Sequence, residues 1–464
     1  MKRHCVKALL CAGVVLTQSA LSARATDWLT YGFNLQRTGE NPFETVLTPA
    51  TAGGLHQLWS FDLGAVTIMQ PVLAQGVMVN GSPEDLVYMG SEHGDLYALD
   101  ASTGALVWQR NLGSQQTNCH DIPDAIFGTS GSPAIDQANN RMFVVGGDGN
   151  MYALDLSTGD TLAGWPVAVT TDPAHEHTYG AVTLANGFAY AEIASYCDFT
   201  PYHGGVVAID IVRRRSRSFY PAGRQVSGGG IWGPGGVSVD PTTGDIFTAT
   251  GNALTNPEYF RYCEDVVELS SALRVLGANY PGLTGGDVDF GATPILYQPP
   301  GCAPLVAAKN KTGVLVVYER GNVSAGPIQR LQVASVSDYQ FNGIPAWSDL
   351  THLLYIGNSS DSNSESTKHG MVAFSVDANC QLQVAWQKKI GPNFSSVSPP
   401  TVAGGVVYYG DGVGNQLLAF KANDGTPLWS SGSTIGGAIY AAPMVVNGRV
   451  YVGAWDKKFY CFGL

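Results

Sequence analysis

Apolar and polar positions alternate along most of this chain in short runs broken by glycine, asparagine and aspartate. Residues 86–113 read LVYMGSEHGDLYALDASTGALVWQRNLG, and residues 406–433 read VVYYGDGVGNQLLAFKANDGTPLWSSGS. Each is a strand, a glycine-rich turn, a second strand, an Asp/Thr-Gly turn and a third strand ending near Trp. Alternation over this length predicts half-buried strands, and its recurrence predicts an array of one repeated unit. Residues 142–165 carry a weaker copy, and residues 449–464 carry one that stops after its second strand.

The Trp position can be followed through the chain at Trp59, Trp108, Trp165, Phe219, Leu276, Leu331, Trp386 and Trp429, at spacings of 43 to 57 residues. That interval suits a four-stranded propeller blade with variable loops. A candidate innermost strand, often containing Pro, lies in each of residues 68–74, 129–136, 178–185, 230–240, 289–297, 340–347, 397–403 and 439–446. Eight of each predict an all-β, eight-bladed propeller of four-stranded blades. An unpaired outer strand at 55–63 begins the repeats, and residues 458–464 end them one strand short. Pairing the two closes the ring and removes an exposed edge.

Composition adds a compartment. Lys2, Arg3 and Lys7 precede an apolar run at 8–16 and a small-residue site, Ala23-Arg24-Ala25, which predicts a signal peptide over 1–25 and a single domain over 26–464. A periplasmic or secreted location follows. No later stretch holds 18 unbroken apolar residues, so no membrane span is expected. Beyond the leader, 21 Lys and Arg face 37 Asp and Glu, which disfavours nucleic acid as a partner. The basic run Arg213-Arg214-Arg215 reads as a solvated turn, and the polar stretch 358–370 as a solvated loop.

Six cysteines follow the leader, and an exported chain can bridge them. Cys119 and Cys197 fall on one rim of the propeller in neighbouring blades, and Cys302 and Cys380 on the other rim. Both placements permit a bridge. Cys263 and Cys461 have no evident partner and read as buried thiols. No CxxCH or CxxC occurs, which removes c-type haem and thioredoxin-type chemistry.

Ala-Leu-Asp-x-x-Thr-Gly-x-x-x-Trp at 98–108, with looser copies at 153–165 and 419–429, resembles the repeat of pyrroloquinoline quinone propellers. Outer-membrane assembly-factor propellers share it without a cofactor, so the repeat speaks to fold. Five further positions fall on one rim in three adjacent blades and resemble the site of quinoprotein alcohol dehydrogenases. The resemblance implies Glu192 and Asn252 as calcium ligands, with Asp289 beside them as general base and metal neighbour. Lys311 would polarise the quinone oxygen, and Trp232 would be the surface on which the flat cofactor stacks. Calcium takes hard oxygen ligands and acts as a Lewis acid. Lanthanide-using relatives carry a further Asp two residues past the base, where this chain has Gly291, so calcium is the expected metal. Three features depart from the family. The adjacent Cys-Cys pair is absent, a following Arg is missing, and the Trp232–Asp240 interval is longer than in the family.

Two functions follow as expectations. One is an exported oxidoreductase, dependent on pyrroloquinoline quinone and calcium, that oxidises a small hydroxyl-bearing substrate and passes electrons to a separate acceptor. The other is a non-catalytic propeller acting as a binding or scaffold module in the cell envelope. A third reading gathers His120, His175, His177 and His203 into a copper or zinc site.

Overall fold

The computed structural model describes residue 1 and residues 25–464 apart from 286, 336–342, 365 and 393–397. The leader expected over 1–25 lies almost wholly outside the described residues. Among the described residues eight blade sheets, each with four antiparallel strands, succeed one another along the chain, beside a two-stranded sheet of Gln115–Gln116 and Ile126–Phe127, and the eight-bladed reading holds. Blade 1 comprises Val72–Val79, Ser82–Gly90, Asp95–Asp100 and Leu106–Asn111. Blade 8 comprises Met444–Val446, Arg449–Gly453 and Lys458–Gly463, completed by His56–Asp62 from the other end of the chain. In that closure His56 pairs with Gly463 and Asp62 with Lys458, antiparallel.

The repeat grammar is the chemistry of blade-to-blade docking. Trp59 of blade 8 donates its indole N–H to the Ala101 carbonyl of blade 1, and Trp108 of blade 1 donates to Leu156 of blade 2. Trp386 of blade 6 likewise donates to Ala422 of blade 7. The receiving turn is built by its Asp: Asp100 Oδ1 accepts from the Ser102 and Thr103 amides at 3.1 and 2.7 Å. The Gly that follows has φ +73°, and a Cβ on Gly104 would lie 2.7 Å from the Trp59 ring. Glycine is therefore required twice over, by backbone conformation and by the neighbour's indole. Between blades the apolar faces merge, as where Tyr297 and Leu315 of blade 5 pack with Trp347 and Leu354 of blade 6.

One outer-strand position shifts. Trp165 precedes the short strand Val167–Ala168 instead of lying in it. Pro166 follows it directly and has no N–H to donate to a ladder, so pairing resumes only beyond that residue. The loop read as solvated at 358–370 is exposed at its tip, at Asn363, Ser364 and Ser366, but packed inward at its base. Asn358, Ser359, Ser360 and Ser362 are buried, and Asn358 Nδ2 donates to the carbonyls of Val333, Ser360 and Lys368.

Residues 27–48 form a feature outside the repeat, an arm that makes one circuit of the inner strands. Trp28 exchanges backbone hydrogen bonds with Leu73 of blade 1, and the Leu29 carbonyl accepts from Ile135 of blade 2. Arg37 donates to the Thr183 hydroxyl of blade 3. The carbonyls of Leu35, Gln36, Thr38 and Gly39 then accept from Val239, Leu296, Trp347 and Val402 of blades 4 to 7. Glu40–Asn41 adds a parallel strand to Thr401–Ala403, and Asn41 reaches the Val445 carbonyl of blade 8. The arm thus satisfies the inner edges that a propeller leaves open. Glu40 and Glu44 also bind the amides of Asp349 and Gly448. Those amides sit on turns between first and second strands, which places the arm toward that rim.

Candidate functional site

The opposite rim is formed by the loops leading into each first strand and those joining second to third strands. They enclose a cavity of about 430 Å³. Lead-in loops contribute Val66, Ile68, Tyr179, Trp232, Asp287 and Asp289; second-to-third-strand loops contribute Glu92, Tyr196, Lys311 and Trp455. Its volume is in the range of single-ligand pockets.

Three of the five expected residues meet there. Asp289 is buried at the cavity floor. Its Oδ1 accepts from the Asn252 amide at 2.7 Å, and its Oδ2 lies 3.2 Å from Lys311 Nζ. Lys311 is also bridged by both oxygens of Asp287, at 2.8 and 2.7 Å. Burial pushes the Asp289 carboxyl up to about 7, against the pull of Lys311, with Asp287 and Asp198 adding to the rise. Burial opposes the Lys311 cation, but Asp289 and Asp287 outweigh it and raise its pKa. Trp232 forms part of the wall, and its indole is pressed by glycine backbone. A Cβ on Gly251 would meet both Asp289 Oδ1 at 2.3 Å and Trp232 Nε1 at 2.9 Å.

The other two lie elsewhere. The Glu192 carboxyl sits behind the wall, where Oε2 is 2.8 Å from the position a Gly180 Cβ would take. Its Oε1 accepts from Thr248 Oγ1 at 2.9 Å, and burial raises it to about 8, with Arg37 of the arm opposing the rise. Asn252 contributes its backbone N–H to Asp289. Glu192 Oε2 and Asn252 Oδ1 are both buried and make no hydrogen bond among the described residues.

Sequence reasoning missed Glu92, Asp198 and Glu264. Glu92 lines the cavity while only 2% exposed. It accepts from Ser130 Oγ at 2.8 and 2.7 Å and from the Gly128 amide at 3.1 Å, and burial raises it to about 7. Asp198 lines the cavity beside Cys197 and accepts from Tyr202 Oη at 2.5 Å. Glu264 is pushed up to about 8 by burial first and by Asp289 next. Glu92 and Asp198 occupy second-to-third-strand loops on the predicted rim, so the rim rule alone would have found them.

Both permitted bridges form, Cys119–Cys197 and Cys302–Cys380, while Cys263 and Cys461 are buried free thiols. Cys119–Cys197 is part of the cavity wall. The histidines do not gather. His175 pairs with Asp172, His203 with Glu176, and His177 Nδ1 accepts from the Tyr196 amide. Among the described residues one possible metal cluster occurs, Cys119, Asp121 and Cys197, and its two sulfurs are tied in the disulfide.

Known proteins share this architecture. The quinohemoprotein alcohol dehydrogenase of Comamonas testosteroni superposes with a TM-score of 0.71 at 16% identity, covering 96% of this chain and 81% of its own. A europium-containing methanol dehydrogenase gives 0.70 at 16% identity, over 94% of this chain and 98% of its own. These likenesses are of fold. By sequence, the polyvinylalcohol dehydrogenase of a Pseudomonas species is 21% identical over 79% of this chain, and that of Sphingopyxis sp. (strain 113P3) is 24% identical over 52%. The chain spans 65% and 42% of the length of those two relatives. A family model described as outer membrane protein assembly factor BamB, built on the PQQ-like repeat, matches residues 46–213 and 375–462. With more than half of its length matched, this chain belongs to the PQQ-like β-propeller repeat family.

Proposed function

We propose that this chain is an extracytoplasmic oxidoreductase that holds pyrroloquinoline quinone and calcium in the rim cavity and oxidises a hydroxyl compound, passing electrons to a separate acceptor. The observation that carries the reading is the buried Asp289–Lys311 pair on the floor of a ligand-sized cavity, with Trp232 in its wall. The two disulfides suit an oxidising compartment. The distant polyvinylalcohol dehydrogenase relatives support a hydroxyl substrate.

The residues present fit the implied groups. Glu192 Oε2 and Asn252 Oδ1 are hard oxygens that lack partners among the described residues, the chemistry calcium selects, and Asp289 adjoins Asn252. Trp232 offers a face for a flat ring, and Lys311 offers a cation for an oxygen at its edge. When bound, the quinone supplies a two-electron hydride acceptor, and calcium polarises its carbonyl.

The chain's own part is proton handling and orientation. Asp289, raised to about 7, is a base matched to neutral pH, and it takes the hydroxyl proton as the carbinol carbon becomes a carbonyl. Lys311 fixes one Asp289 oxygen and the Asn252 amide the other, so the carboxylate is aimed before substrate arrives.

The test is titration of purified protein with the quinone and calcium, read by bound-cofactor absorbance and melting temperature. One-to-one saturation, weakened in Asn252→Ala and Glu192→Gln, supports the reading; absence of binding with and without calcium overturns it. One observation favours a second reading, a binding module without catalysis. Lys311, the sole Lys or Arg lining the cavity among the described residues, is already bridged by Asp287 and Asp289. On that reading the quinone does not bind, and ligands of other chemistry do.

A further inference from the structure

The cavity has two halves, and the proposed chemistry uses one. The Asp289–Lys311 half faces blades 4 and 5. The other half is bounded by Glu92 of blade 1, Tyr179 and Tyr196 of blade 3, and Tyr440 and Trp455 of blade 8. Its rings meet in two pairs. Tyr179 and Tyr196 are edge-to-face at 5.6 Å, and Tyr440 and Trp455 stand at 4.4 Å and 59°. Tyr196 is held from behind by Phe127 and His177, at 5.4 and 5.6 Å. These contacts fix the rings in place before any ligand arrives.

Glu92 sits in the same wall and is more deeply buried than Asp121 and Asp198. It is only 2% exposed, it accepts from two donors, the Ser130 hydroxyl and the Gly128 amide, and it makes no ion pair with Lys, Arg or His among the described residues. A buried carboxylate without a countercharge is costly. Asp121 lines the cavity too, whereas Lys311 is committed to Asp287 and Asp289. Aromatic faces and a buried carboxyl around one space are the chemistry that recognises an organic cation: ring quadrupoles attract the charge, and the carboxylate supplies the pairing ion.

We infer that the half of the cavity bounded by Glu92, Tyr179, Tyr196, Tyr440 and Trp455 is a subsite for an organic cation, so that the hydroxyl compound presented to Asp289 is an amino alcohol. This rests on the proposed oxidation for the fate of the hydroxyl, but the cation subsite stands on its own geometry. A neutral alcohol leaves Glu92 without its countercharge.

Choline and 3,3-dimethylbutan-1-ol test this directly, because they share one shape and differ in charge. Calorimetric titration of the whole mature protein, with and without quinone and calcium, reads both affinities. The expected result is choline bound about tenfold or more tightly than its neutral analogue. Glu92→Gln should abolish that preference, and Trp455→Leu should reduce it with Glu92 intact. A match of melting temperature between variants and parent at pH 5 establishes folding. Equal affinities, tighter neutral binding or no binding of either overturns the subsite. Choline binding without quinone binding keeps the subsite and removes the dehydrogenase reading; quinone binding without choline preference does the reverse.

Discussion

Replacing Glu92 by Gln should stabilise this protein at alkaline pH and leave it unchanged at acid pH. Burial holds the Glu92 proton up to about 7, from an ordinary value of 4.5. Below pH 4.5 folded and unfolded chains both carry that proton, and the residue costs nothing. Between 4.5 and 7 the unfolded chain releases it while the folded chain retains it, so stability falls as pH rises through that window and levels off above 7. The interval corresponds to about 3 kcal/mol. Gln keeps the shape and the acceptor oxygen for Ser130 and Gly128 but has no charge to bury. At about 2.1 cal/mol/K per residue, roughly 440 residues give an unfolding entropy near 0.9 kcal/mol/K, so the gap is about 3 °C in melting temperature. The assay is differential scanning fluorimetry of dialysed parent and Glu92→Gln from pH 4 to 9. The expected gap is near zero at pH 4, grows between pH 5 and 7, and reaches its full size by pH 8. A gap that does not vary with pH, or one of opposite sign at pH 8, refutes the account of Glu92 as a buried carboxyl without a countercharge.

Three further outcomes follow from other parts of the molecule. The two disulfides have the same sequence separation of 78 residues, so removing either pair should cost about 4.5 kcal/mol by chain entropy. Calorimetry should show equal losses, but ligand titration should weaken only without Cys119–Cys197, which forms cavity wall. Lys311→Met withdraws the cation that restrains the Asp289 pKa, so the acidic limb of the rate–pH profile should move to higher pH and turnover at pH 7 should drop. Gly104→Ala forces a Cβ against the Trp59 ring at a left-handed position and should lower stability by roughly 2 kcal/mol or more; a melting temperature equal to the parent's would contradict the docking role given to that turn.

The fold was legible because its determinants are local and repeated. Trp59, Trp108, Trp386 and Trp429 mark blade edges in the sequence for the same reason that they dock blades in space. Closure by His56–Asp62 followed from counting strands. Trp165 misled because a proline one residue on outweighed the repeat, and the base of the 358–370 loop misled because serines read as solvated when their hydrogen bonds are internal. At the site, strand order placed Asp289, Lys311 and Trp232 on one rim, and they line one cavity. Glu92 and Asp198 were invisible as motifs because a buried carboxyl is defined by what surrounds it, not by its neighbours in sequence. The arm left no periodic trace, since most of its contacts are made through backbone carbonyls that any side chain permits.

That arm changes what kind of object the ring is. A ring of blades, each touching only its two neighbours, behaves as a linear array in which a weak unit can open alone. Residues 27–48 touch all eight blades, so loosening any one of them strains a strap shared by the rest. The arm is also synthesised before every surface on which it lies. Its full set of contacts exists only once the later blades, up to Val445 of blade 8, are in place. Fraying, proteolysis and hydrogen exchange across the eight blades should accordingly rise together once the arm is released, and the molecule should fail as a whole instead of blade by blade.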